Sequence, residues 1–165
     1  MNKVFYSFHF DNDVMRVQLI RQMGVVEGNE PVLKNVWEEV KGRGDAAVEK
    51  WIDDNMKYRS CVIVLIGEKT SGQRWVKYEI KKAWEDKKGL FGIYIHNLRD
   101  ARRSKIPPCF GKCSQGQNPF EQFTFSYGSK LSDVIKCYDP NPDDAYNDIA
   151  NNIEKWVENA IEMRK

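Results

Sequence analysis

Residues 61–66 read Cys61-Val62-Ile63-Val64-Leu65-Ile66, six apolar residues with no polar alternation. A strand with one face in water alternates apolar and polar. A strand apolar on both alternations is buried on both faces, which is the mark of a central parallel strand covered by helices on either side. This hexapeptide therefore sets the expectation of an open α/β sheet.

The flanking segments fit that frame. Downstream, Gly67 to Gly72 reads as a loop and Trp75 to Lys87 as a helix, with Thr70-x-x-Gln73 as a capping box and Gly89 as the stop. Leu90-Phe91-Gly92-Ile93-Tyr94-Ile95 is a second buried strand. Upstream, Val4 to Phe8 is a short β-rich run, and Asp11-Asn12-Asp13 supplies the start of a helix that Gly24 ends. Val25-Val26 is a candidate short strand, and Pro31 to Val40 a short helix. Gly42-Arg43-Gly44 breaks it, and Asp45 is placed to cap a helix bearing Val48, Trp51, Ile52 and Met56. Asp100 to Ser132, with Pro107, Pro108 and Pro119, reads as loops with one or two short strands. Val134 to Tyr138 is a last strand and Asp144 to Met163 a last helix. The pattern predicts one domain over 1–165: a mostly parallel open sheet with helices on both faces. Ligands of such sheets sit at the carboxyl ends of the strands. Three loops qualify: Ser7 to Asp13, Gly67 to Trp75, and His96 to Asp100.

Composition excludes more than it identifies. The 165 residues include 26 Lys and Arg against 24 Asp and Glu, so the chain has no global charge bias toward nucleic acid or an anionic membrane. Its longest apolar run is far short of a membrane span, and Met1 to Phe8 leads into a strand with no signal-peptide core. With no Asn-x-Ser/Thr sequon either, a reduced cytoplasmic setting is the expectation. Two histidines, His9 and His96, preclude a His-rich metal cage. Cys109 and Cys113 are too far apart for a CxxC knuckle, and no metal site is expected.

Nor does a familiar phosphate or nucleophile motif stand in its proper context. Gly42-x-Gly44-x-x-Ala47 matches a dinucleotide fingerprint as a string, but a helical pattern precedes it where a strand is required. There is no GxxxxGK[ST] loop and no GxSxG elbow. Gly67 and Glu68 follow Ile66 where a phosphorelay needs an aspartate. Glu79 stands out. At about 100° per residue, Val76, Ile80, Ala83 and Trp84 form the apolar stripe of its helix, and Glu79 falls about 60° from Val76, at the stripe's border. Trp75 lies one turn earlier. Two readings stay open: a surface glutamate among Lys77, Lys81, Lys82 and Glu85, or a partly desolvated carboxylate beside an indole, with a raised pKa. Ser7-Phe8-His9-Phe10 is equally two-sided, as core aromatics with a solvated His or as a wall that stacks a base and bonds a ribose.

In combination these segments resemble the TIR-like family of the Thoeris anti-phage defence protein ThsB. The likeness rests on Val4-Phe5-Tyr6-Ser7-Phe8-His9-Phe10 with Asp13 to Arg21, on Trp51-Ile52-Asp53 before Cys61 to Gly67, and on Gly89 to His96. Its sharpest part is Thr70-Ser71-Gly72-Gln73-Arg74-Trp75-Val76-Lys77-Tyr78-Glu79-Ile80. It covers about Lys3 to Asp100, and Ile106 to Phe125 lies outside it. The resemblance implies a flavodoxin-like TIR fold and an enzyme of the NAD+ glycohydrolase or ADP-ribosyl cyclase type. NAD+ would be substrate, with no cofactor, and Glu79 of the Trp-x-x-x-Glu helix catalytic. It further implies release of nicotinamide and a cyclic ADP-ribose isomer that activates a partner effector, and it is compatible with a phage component as trigger and with a homo-oligomer. Phe8, His9 and Phe10 would wall the nucleotide, Ser7 would contact a hydroxyl, and Trp75 would pack beside Glu79. Arg16 and Asp45 join as substrate-binding candidates from positions near the same edge. The competing readings are a non-catalytic TIR-like interaction module and a flavodoxin-like cofactor binder.

Overall fold

The six residues of the founding hexapeptide are completely buried, and they divide by parity. Cys61, Ile63 and Leu65 enter one apolar core; Val62, Val64 and Ile66 enter another on the opposite face of the sheet. Each buried aliphatic side chain stabilises the fold by roughly 1.5–3 kcal/mol relative to exposure, an upper estimate for a compact denatured chain. Both layers depend on this strand.

The computed structural model describes residues 1–30, 34–102 and 111–165. Its elements are β1 (Lys3–Ser7), α1 (Phe10–Gln22), β2 (Glu27–Gly28), α2 (Lys34–Gly42), α3 (Asp45–Met56), β3 (Cys61–Ile66), α4 (Arg74–Glu85), β4 (Gly89–Tyr94), β5 (Cys137–Tyr138) and α5 (Ala145–Glu162). The pairings between these strands are parallel and the order is β2-β1-β3-β4-β5. That is the flavodoxin-like order, whose topological switch point lies between β1 and β3. Helices α1 and α5 cover the Tyr6, Ile63 and Ile93 face, while α3 and α4 cover the Phe5, Val62 and Val64 face.

Several boundaries differ from the sequence expectation, each for a local reason. Helix α1 starts at Phe10, before the Asp11-Asn12-Asp13 signal, with His9 at the N-cap making no side-chain bond. Asp13, which could have capped, is engaged with Arg16 instead. The second strand is Glu27–Gly28, two residues beyond Val25-Val26. Val26 turns into the core, and the Tyr6 ring lies so close to Gly28 that a Cβ there would collide with it. Asp45 is the first residue of α3 and does not cap it; the N-cap is Gly44, at φ +101, where a side chain would be strained. Thr70-x-x-Gln73 is not a capping box. Thr70 opens a 3₁₀ turn, its buried Oγ1 accepts from the Gly67 N–H at 2.8 Å, and Gln73 caps α4 without a side-chain bond. Gly89 does not end α4 but begins β4. The turn falls at Lys87, φ +56, with Lys88 N–H closing onto the Ala83 carbonyl. In place of short strands after Asp100, the described residues form 3₁₀ turns at Pro119–Gln122 and Leu131–Asp133 and one antiparallel bridge, Thr124 to Lys130. Pro31 and the Pro107-Pro108 pair lie outside the described residues. As expected, the Gly42-Arg43-Gly44 string joins two helices.

Candidate active site

The switch point puts the end of β1 beside the end of β3, with Ser7 in register with Val64. The chain leaving β3 folds through the Thr70 turn into α4, whose buried residues Val76, Ile80 and Ala83 pack on the sheet. Glu79 shares that inner face and is only 7% exposed. Burial raises its pKa well above the ordinary glutamate range; the Ser7 hydroxyl opposes this, and no cation contributes. The Ser7 hydroxyl is itself buried beside it. The two polar groups at the switch point thus face each other.

A cavity of about 230 Å³ opens over Glu79. Helix α4 contributes Gln73 at its cap, Trp75, Val76 and Glu79. The β1–α1 corner contributes Phe8, His9 and Phe10, with the two phenyl rings 6.3 Å apart. The lining is completed by Asn29 and Glu30, by Trp37 and Lys41 of α2, and by Trp51 of α3. Asn29 has a structural task as well: its Oδ1 accepts from the Tyr6 N–H at 2.8 Å, continuing the β1 edge where the two-residue β2 runs out. The wall is mostly aromatic, with one buried carboxyl at its base. Such a site accepts flat heterocycles and favours a positive charge or hydroxyl donors near Glu79.

Of the residues singled out from sequence, Glu79, Phe8, His9, Phe10 and Trp75 line this cavity, and Ser7 stands behind it next to Glu79. Arg16 and Asp45 do not line it. Arg16 is fully buried, donating from Nε to the Leu98 carbonyl at 2.8 Å and from Nη2 to the Gly111 carbonyl at 3.0 Å. Its Nη1 meets Asp13 at 3.4 Å and Asp100 at 4.0 Å. These bonds hold the His96–Asp100 loop and the Gly111 segment to α1. Asp45 is exposed, and both its oxygens accept from Arg74, at 3.1 and 2.6 Å. That pair ties the start of α3 to the start of α4. Asn29, Trp37, Lys41, Trp51 and Gln73 were not legible as site residues. Trp37 and Trp51 carry helical spacing that reads as core, and only their approach to 5.5 Å across two helices places them at the cavity.

Among the described residues no group of His, Cys, Asp or Glu could hold a metal ion; Cys109 lies outside them. No helix of the described residues is long and apolar enough to cross a membrane.

Two predictions arise here. Gly67 follows β3 directly, and a Cβ on it would run into the Asp13 carboxylate, which is fully buried and held by Arg16. Gly67→Ala should therefore destabilise the protein by about 1–3 kcal/mol, the usual cost of overpacking a site that cannot yield, and chemical denaturation would measure it. The second concerns Glu79 and pH. Because its folded pKa is raised, the folded state holds the proton more tightly than the unfolded chain does. Stability is therefore lost as pH rises from the unfolded value through the folded one. Glu79→Gln removes that loss. Unfolding midpoints of the variant and wild type should converge at acid pH and separate in the variant's favour toward neutrality; parallel curves would contradict the burial argument.

An open parallel sheet in the order 2-1-3-4-5, with a buried helix glutamate at its switch point, defines an α/β protein of the flavodoxin-like, TIR-like class. The family profile described as "Thoeris protein ThsB, TIR-like domain" matches residues 5–100, and the chain belongs to that family. It is similar to a Bacillus cereus (strain MSX-D12) protein named "Putative cyclic ADP-D-ribose synthase ThsB1", with 32% identity over 133 residues. That match takes in 77% of this chain, and the chain spans 65% of the relative's length.

Proposed function

We propose that this chain cleaves the nicotinamide–ribose bond of NAD+ and closes the remaining ADP-ribose into a cyclic product, with Glu79 as the catalytic residue. The single observation that carries this reading is the isolated, buried Glu79 carboxyl at the base of an aromatic cavity. The name of the Bacillus cereus relative supports the same chemistry.

The proposed step follows from charge. The C1′–N bond breaks with its electron pair leaving on nicotinamide, which departs neutral and needs no general acid. Positive charge then develops on the ribose. An ionised Glu79 stabilises it, and the low-polarity surroundings strengthen that interaction. The bound pyridinium favours the ionised carboxylate in advance, offsetting the burial that raises its pKa when the site is empty. Phe8 and Phe10 restrict water at the reacting carbon. With water restricted, a nucleophilic atom of the same ADP-ribose attacks C1′ and gives up its proton, so NAD+ yields nicotinamide, a cyclic isomer and a proton. In this reading the enzyme works in the cytoplasm within anti-phage defence. Its product diffuses to a separate effector, and a phage component is the trigger.

The test is incubation of the purified chain with NAD+, with and without lysate of phage-infected cells, followed by chromatography and mass spectrometry. Nicotinamide and a product one water lighter than ADP-ribose are expected. NAD+ left intact under both conditions would overturn the proposal, and ADP-ribose alone would restrict it to hydrolysis.

A further inference from the structure

The cavity has a polarity that the chemistry at Glu79 leaves unexplained. Glu79 sits at the base, and Asp11 and Glu30 also border the space. Among the described residues lining it, Lys41 is the single lysine or arginine. It stands in the last turn of α2, one helical turn after Trp37. Its ammonium lies 5.8 Å from the Trp37 ring centroid and 3.0 Å from the Glu38 carboxylate. Both members of that ion pair are exposed, and an exposed pair of this kind is weak and readily exchanged. Beside it the Trp37 and Trp51 rings meet at 5.5 Å with their planes tilted 60° apart, and both face the cavity. The tilt leaves ring surface uncovered at the cavity, where neither indole fully stacks on the other.

A lone cation next to two partly open indoles is the arrangement that suits a phosphate joined to a heterocycle: the ammonium takes the anionic oxygens and an indole face takes the base. We infer that Lys41 with Trp37 and Trp51 forms a second subsite, which binds the pyrophosphate and distal base of a dinucleotide. This deepens, and rests on, the proposed reading of the Glu79 site. The two ends of the cavity then impose a direction. The cationic pyridinium end is drawn to the buried carboxyl and the anionic pyrophosphate to the lysine, so the substrate enters in one orientation. Trp37 and Lys41 are specificity determinants that select a nucleotide carrying a pyrophosphate over a bare riboside.

The subsite can be tested without turnover, using the cavity's own tryptophans as reporters. ADP carries the pyrophosphate and base but no nicotinamide; nicotinamide riboside carries the other end and no phosphate. Titrating ADP is expected to change the intrinsic fluorescence saturably. Lys41→Gln should weaken ADP at least about tenfold, Lys41→Arg should restore it, and the affinity for nicotinamide riboside should stay the same. Trp37→Leu should weaken ADP comparably, with unchanged circular dichroism showing that α2 is intact. If ADP does not bind, or if Lys41→Gln weakens ADP and nicotinamide riboside equally, the inference fails. ADP binding through Lys41 in a protein that never cleaves NAD+ would uphold the subsite and remove the proposed reaction. NAD+ cleavage whose KM is indifferent to Lys41→Gln would overturn the subsite and leave the reaction standing.

Discussion

Glu79→Gln is expected to reduce nicotinamide release from NAD+ by at least about 10²-fold, with most of the loss in kcat. The amide occupies the same volume at the base of the cavity and can still bond a ribose hydroxyl, so the ground-state complex should survive. What disappears is the full negative charge opposite the developing oxocarbenium ion. Loss of one preorganised electrostatic group of this kind costs roughly 2.7–4 kcal/mol of transition-state stabilisation. The pH profile offers a second check. The reactive form is the carboxylate, and burial lifts its pKa in the free site. The acid limb of kcat/KM in the wild type should therefore lie above the ordinary glutamate range, with activity rising as pH increases through it. A variant as active as wild type, in a condition where wild type turns over, would remove Glu79 from the chemistry.

Arg16→Met is expected to produce the largest loss of stability, about 3–5 kcal/mol in denaturant unfolding. Methionine fills most of the volume but returns none of the bonds. The Leu98 carbonyl loses its arginine donor, the Gly111 carbonyl is left with the Asp100 N–H, and Asp13 and Asp100 lose a shared cation in a fully buried setting. The two carboxylates then behave differently. Burial works to raise Asp100, but the Arg102 side chain and backbone, with charge from both arginines, outweigh it and hold its pKa low. Burial already raises Asp13, and it has less to fall back on. The penalty should thus be largest near neutral pH and shrink as pH falls and Asp13 takes a proton. Arg16→Lys should rescue only in part, because an ammonium cannot span two carbonyls and a carboxylate in one plane. A loss below 1 kcal/mol would show that the cluster is solvated in a way its burial does not suggest.

The sheet was readable because its evidence is local. Six apolar residues at 61–66 leave little choice but a doubly covered strand, and the border position of Glu79 follows from helix geometry alone. What the chain did not disclose depends on contacts across long separations. The partners of Arg16 are main-chain carbonyls 82 and 95 residues away, and a fully buried arginine is rare enough that exposure is the natural expectation. Asp45 looks like a helix cap until Arg74, 29 residues on, takes both its oxygens. Trp37, Lys41 and Trp51 read as one helix stripe and another, and nothing in their spacing says that the two helices border one cavity with α4.

The edge at β2 has a kinetic consequence. The floor of the cavity hangs from β1 and β3, joined through four residues of register and buried on both faces. Among the described residues the rim at β2 is tied to the sheet through the paired residues Glu27 and Gly28, the Asn29 side-chain bond to Tyr6 and a long Arg59 contact to the Glu27 carbonyl. Opening free energies follow such differences in backbone anchorage. Amide exchange should accordingly rank the protein into a slow half that carries the carboxylate and a fast half that carries Trp37 and the lysine. Entry and exit of ligand would then be timed by the fast half, and the reacting bond would be held by the slow one.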